Sequence, residues 1–287
     1  SDIYFVRNKT TDRVRETVRF RVAGREPELW DPRTGDVRRA AVYRASASHV
    51  EVPVALAPNG SIFVVFRHPT RADAIVAVTG GAEAVIRDGA PVLVAERDGE
   101  YSVERAGGAA MTVRVAGLPQ PLALDDGWSV EFEPDRGVPP RVDLPRLRSW
   151  TEHAEPGVRF YSGTGRYRRT FNLPAEWKAA GWRVDLDLGN LWAVGEAWLN
   201  GRPLGVLWAG PFRVECTDAL RSGSNELVVE VTNNWYNRLA GDARLPVSQR
   251  ITRTNVTTSG DKPWTMLDPL PSGLFGPVRL VAVARKD

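Results

Sequence analysis

The chain has one cysteine, Cys216, among 287 residues. No intrachain disulfide can form, which excludes the small disulfide-stapled scaffolds. The compartment stays open, because a chain this large does not need disulfides. Cys216 lies in a strand pattern and reads as a small core residue. No apolar run approaches the ~18 residues of a membrane-spanning helix, and no leader-like segment precedes the first strand pattern. The sequence opens at once on SDIYFVRNKT, as expected of a piece of a longer chain. Clustered basic charge is also missing. The net charge is +3, with +4 on residues 1–70 and −1 on the rest. A nucleic-acid face needs clustered Lys and Arg, so the expected partners include neither nucleic acid nor membrane. HExxH, a Cys/His metal set, GxSxG, Walker A and GxGxxG are all lacking.

What is there points to β structure. Hydrophobic residues make up 43% of the chain, ample for a core, and 26 Gly, 21 Pro and 10 Trp favour turn-rich sheets over helix bundles. The clearest stretch is 184–232. At its centre Asn200-Gly201 separates the apolar runs 196–199 and 204–208. Asn-Gly is the strongest short hairpin signal, because both residues tolerate φ > 0 and suit a type I′ turn. Strand patterns flank it at 184–188 and 226–231, and 214–220 reads as a further strand before the turn Ser222-Gly223-Ser224-Asn225.

Further strands are expected at 3–6, 17–22, 50–56 and 61–66, the last two paired across Pro58-Asn59-Gly60. Trp30 and Phe63 read as core. Five short strands follow at 74–78, 83–87, 92–96, 100–104 and 111–115, with Gly-containing turns between them. Residues 117–121, with two prolines, read as a linker. The division is therefore a β-sandwich over 1–117 and a second over 118–287. In the second, 128–133, 166–171 and 278–283 read as strands and 139–147 as an irregular crossing. Residues 174–180 read as one helical turn, the only helix expected. Residues 238–264 lack a period, and a loop that long is usually functional or a docking element.

AWLNGRPLG and PFRVECTDALRSGSNELVVEVTN resemble the galactose-binding-like, sugar-binding jelly roll of family 2-type glycoside hydrolases. SWTEHAEPGVRFYSGTGRYRRTFNLP is similar to the opening of that module. NNWYNRLAGDARLP and LPSGLFGPVRL resemble the C-terminal part of the α-L-rhamnosidase-like enzymes of glycoside hydrolase family 106, and ELWDPRTGD with PNGSIFVVF resembles the β-sandwich after their catalytic barrel. The resemblance implies an all-β chain, an N-terminal β-sandwich followed by a galactose-binding-like jelly roll. It implies a periplasmic or secreted setting. It also implies that catalytic carboxylates belong to a barrel, and this chain lacks a barrel's alternating β/α rhythm.

Sugar sites in sandwiches use aromatic faces for C–H stacking and planar polar groups for hydroxyls. Trp150, Glu152 and His153, with Asn233, Asn234, Trp235, Asn237 and Arg238, form such a set, expected to share a rim that faces a glycan or the parent enzyme's catalytic domain. Trp192, Trp208 and Trp264 lie in or beside loops. A glycosidase needs two carboxyls about 5–10 Å apart. Glu152, Glu155, Glu196 and Asp242 are available, but spacing brings no two together, so no catalytic residue is assigned. No cofactor is expected. Modules of this kind often hold a structural calcium, for which Asp185, Asp187 and Asp218 offer oxygens, though no DxDxDG loop is present. The reading is a non-catalytic accessory region of a glycoside hydrolase. The alternatives are an independent β-sandwich hydrolase acting on polysaccharide and a purely structural spacer.

Overall fold

Strand alternation sets the architecture. In Val50–Leu56 every second side chain is buried, with Val50 and Val52 at 0% exposure. A computed structural model describes residues 1–72, 74–179 and 182–286, and it is nearly all β, with 51% strand and 9% helix. The chain divides into two compact units, Ser1–Gln120 with Ala282–Asp287, and Pro121–Val281.

In the first unit, Ser61–Pro69 runs antiparallel between Asp2–Arg7 and Arg25–Trp30, and Val37–Arg39 completes that sheet. Val50–Leu56 belongs to a different sheet, between Val14–Phe20 and Arg44–Ala45. The expected 50–56/61–66 pair therefore does not form, and Pro58-Asn59-Gly60 carries the chain from one sheet to the other. Asn8 holds that crossing. Its buried Nδ2 donates to the carbonyls of Ala57 and Asp12 at 2.9 and 2.7 Å. Phe20, Tyr43, Val50, Val52, Val64 and Phe66 fill the core between the sheets. Trp30 and Phe63 are not part of it. Val64 faces inward, so its neighbour Phe63 points to the other side. There Phe63 is half-buried against Phe5 at 5.0 Å, and Trp30 lies beneath the Arg67 guanidinium at 5.3 Å. The short strands Ile75–Val78, Glu83–Arg87, Ala90–Ala95, Gly99–Arg105 and Met111–Val115 follow closely where the pattern places them.

The second unit is built on a six-stranded antiparallel sheet. Its order is Arg141–Arg146, Asp126–Phe132, Thr164–Leu173, Gly223–Thr232, Val194–Leu199, Arg202–Leu207. Arg183–Asp187 and Arg213–Glu215 pair in another sheet. The hairpin turn is as expected. Asn200 and Gly201 take φ of 54° and 78°, as type I′ requires. The Asn200 side chain then ties the turn down, with Oδ1 accepting from Glu226 N at 3.0 Å and Nδ2 donating to Ala219 O at 2.8 Å.

Three readings change. Residues 139–147 contain a strand, Arg141–Arg146, and Pro145 is tolerated because this is the sheet's edge. The strand expected over 214–220 stops at Glu215, and a 3-10 turn, Thr217–Ala219, follows. Thr217 Oγ1 accepts from Val184 N at 2.9 Å, which draws the chain off the ladder. Cys216 is a core residue, as read, and burial pushes its thiol up to about 12. A helix, Tyr236–Asp242, opens the supposedly aperiodic segment. It buries Asn237, Arg238 and Asp242, so its inner face carries no apolar stripe to betray it. A second short helix, Pro156–Arg159, was also unexpected. The turn read at 174–180 is the helix Glu176–Ala179, and residue 180 lies outside the described residues.

Candidate functional site

Trp150 begins a 3-10 turn, Trp150–Glu152, in which Thr151 N donates to the Ser149 hydroxyl. The indole is 2% exposed. It stacks on Tyr167 at 6.3 Å and meets Phe132 and Tyr161 edge-on at 5.6 and 5.3 Å. Gly165 and Gly273 are glycines because this ring needs the space: a Cβ would lie 2.5 Å from the ring at the first and 2.8 Å at the second. Tyr161 donates to Thr164 O at 2.9 Å, and burial pushes its hydroxyl up to about 12. Burial likewise raises Tyr167, whose hydroxyl accepts from Leu274 N at 3.0 Å. Trp150 is thus the middle of an aromatic core.

The two sequence segments do come together, through a residue the sequence did not single out. Ser272 accepts from Trp150 N at its carbonyl, 2.9 Å, and donates its own N–H to Ser149 Oγ at 3.0 Å. Its hydroxyl accepts from Asn233 Nδ2 at 3.1 Å and Asn237 Nδ2 at 2.9 Å. Both amides are then used up. Asn233 Oδ1 accepts from Gly163 N at 2.9 Å, and its Nδ2 also reaches Tyr161 O. Asn237, 2% exposed, closes a reciprocal pair with Leu270, accepting from its N and donating to its O, both at 2.8 Å. The only advance sign of Ser272 was its place in LPSGLFGPVRL.

Arg238 is also internal, at 6% exposure. It pairs with Asp242 at 3.4 Å and donates to the Arg136 and Gly157 carbonyls. Asp242 in turn accepts from Thr252 N and Oγ1 at 2.7 and 2.6 Å. Of the eight residues expected on a rim, Trp150, Asn237 and Arg238 are therefore framework. The polar groups of Asn237 and Arg238 serve the fold, because a buried donor left unpaired costs more than it returns, and Trp150 is held there by its ring contacts. Asn233 is half-buried with the same fate.

Four of the eight reach solvent in some degree. Glu152 and Asn234 are exposed, with Asn234 Oδ1 accepting from Tyr236 N. His153 is half-buried, its Nδ1 accepting from Glu155 N at 3.1 Å. Burial, then the Arg148 charge, hold its pKa below the usual imidazole range, which favours the neutral ring. Trp235 is the open member, 55% exposed. The Arg136 guanidinium lies over its ring at 5.4 Å. Together they line a cleft of about 430 Å³ with Leu239, Ile251, Thr252, Arg253 and Thr254. All five lie in the segment 238–264, read as functional or a docking element, though none was singled out by itself. Trp192 and Trp208 are exposed elsewhere in the unit, whereas Trp264 is buried with its Nε1 donating to Val256 O at 3.0 Å.

Two of the four candidate carboxylates, Glu155 and Asp242, are engaged, whereas Glu152 is exposed. Glu155 caps the helix Pro156–Arg159, and Asp242 is sealed as described. Glu196 stands opposite Glu230 on a sheet face, where Arg166 pairs with Glu230 at 3.2 Å. Asp185 meets Arg183 and Arg213 at 2.6 and 2.9 Å, Asp187 meets Arg279 at 2.9 Å, and Asp218 lies 3.8 Å from Arg202. Among the described residues no three acidic, His or Cys side chains gather as a metal would require.

Comparison with known proteins agrees with this architecture. The family model described as alpha-L-rhamnosidase matches residues 1–45. A Formosa agariphila protein named "Putative beta-glucuronidase" is 32% identical over 224 residues, 71% of this chain and 19% of that protein. The solved structure of a rhamnosidase from Novosphingobium sp. PP1Y is 32% identical with a TM-score of 0.71, covering 98% of this chain and 22% of that one. The chain thus spans about a fifth of the length of either relative.

Proposed function

Because this chain is related to the α-L-rhamnosidases of glycoside hydrolase family 106, we propose that it is a non-catalytic, glycan-binding accessory region of such a hydrolase. Its second unit is the galactose-binding-like jelly roll of that region. The observation that carries the reading is Trp235: an indole left 55% exposed, held beneath Arg136, at the mouth of a cleft. A solvent-facing ring gains little from that position alone, whereas a sugar's C–H face stacks on it and the adjacent guanidinium orients a hydroxyl. The absence of a catalytic role is supported by the engagement of Asp242 and Glu155 in the framework. The chain's share of its relatives' length leaves room for a barrel elsewhere in the parent protein.

The test is a titration with rhamnose- and galactose-containing oligosaccharides, followed by tryptophan fluorescence and NMR shifts. The expected result is saturable binding with a Kd on the order of 1 mM, and no turnover of nitrophenyl glycosides. No shift of the Trp235 indole signal at tens of millimolar would favour the purely structural reading instead. That alternative draws on the sealed state of Asn233, Asn237 and Arg238.

A further inference from the structure

The cleft beside Trp235 is lined by two arginines and no carboxylate. Arg136 is partly offset, since its Nε lies 3.5 Å from Glu133 Oε2. Arg253 is exposed and makes no ion pair or hydrogen bond among the described residues. Its position is nevertheless defined. The residue before it, Thr252, is clamped by two hydrogen bonds to Asp242, and the residue after it, Thr254, accepts from Val256 N at 3.0 Å. The negative charge of Asp242 does not reach the cleft unopposed, because Arg238 pairs with it from within. What remains at the surface is a stacking ring, an apolar floor of Leu239 and Ile251, and a guanidinium without a counterion.

Resting on the reading of this cleft as a glycan site, we propose that it selects a carboxylate-bearing saccharide. The ring face of a uronic acid residue lies on Trp235, and its carboxylate is received by Arg253, with Arg136 adding positive field over the indole. A guanidinium presents two parallel N–H donors that match the two oxygens of a carboxylate, a geometry a neutral hydroxymethyl group cannot use. The chemistry is reversible binding, with no covalent step.

The test compares a galacturonate disaccharide with the same disaccharide after carboxyl reduction, by NMR titration of the whole chain. The acidic form should bind roughly fivefold more tightly at low salt, the scale of an exposed charge pair, and the gap should close as salt is raised. Arg253→Gln should bring the acidic form down to the neutral one while leaving the neutral affinity unchanged. Equal binding of the two forms to the wild type would overturn the selectivity and leave the glycan site standing. Binding of neither form would remove both. Equal loss of both forms in Arg253→Gln would show that the arginine serves hydroxyls rather than charge, and overturn the proposal. A sulfated galactose disaccharide preferred over the uronate would overturn the carboxylate assignment.

Discussion

Two groups of aromatic and polar side chains in the second unit are built from the same residue types and have opposite fates. Around Trp150 the indole is enclosed by Phe132, Tyr161 and Tyr167, and Asn233, Asn237 and Ser272 bond one another. Around Trp235 the indole is open, and Arg253 has no ion pair or hydrogen bond among the described residues. Composition nominates both as sugar sites. What separates them is saturation of the amides and hydroxyls, with the Trp150 indole held by its ring contacts. A group whose donors and acceptors are all met inside the fold contributes by staying there. Only a group with unmet capacity can gain by meeting a ligand.

The largest test of that contrast removes the enclosed ring. Trp150→Ala should cost about 3–5 kcal/mol, because a large core ring leaves a cavity that its neighbours only partly fill. Gly165 and Gly273 offer no side chains to fill it. Urea denaturation followed by circular dichroism measures this. A loss below ~1 kcal/mol would mean that the ring is not a core anchor and that the two clusters are alike.

Asn237→Leu comes next, with an expected loss of about 1–3 kcal/mol. Leucine has similar bulk but strands Leu270 N and one acceptor site of the Ser272 hydroxyl, while Leu270 O keeps the Ser272 hydroxyl as a donor at 3.1 Å. Hydrogen exchange at the Leu270 amide should accelerate in step with the fall in stability. An unchanged exchange rate would show that this hydrogen bond does not hold the 270–273 segment.

Strands from both units show what a sequence makes readable. Asn200-Gly201 and the alternation in 226–231 are local signals, and both became the structures they suggest. Val50–Leu56 was equally clear as a strand, but its partner was not, because pairing depends on which sheet the next strand joins. The helix Tyr236–Asp242 was hidden for a different reason. Its buried face carries Asn237, Arg238 and Asp242, which, besides the Arg238–Asp242 pair, bond Leu270, Gly157 and Thr252 outside the helix. Long-range polar pairing leaves no periodic trace. The rim was half visible on the same grounds. NNWYNR marked the right place, but which of its side chains turn inward depended on Ser272, thirty-five residues from Asn237.

The smallest effect on stability, and the most direct probe of the open cluster, is expected at Trp235. Trp235→Ala removes a ring that is 55% exposed and a cation–π contact with Arg136 at 5.4 Å. Such a contact at the surface is worth ~0.5–1 kcal/mol, so unfolding should shift by no more than about that. Glycan affinity should fall about fivefold, the loss of ~1 kcal/mol of stacking. Trp235→Phe, which keeps a face for the sugar, should recover part of it. The pattern matters more than either number. Trp150→Ala should damage folding first, so any loss of binding there tracks the unfolded fraction. Trp235→Ala should reduce binding in a chain that melts like the wild type. If Trp235→Ala instead lowers stability by several kcal/mol, the ring is a structural support despite its exposure. If it changes neither stability nor binding, the saturation argument fails at the one indole it singles out.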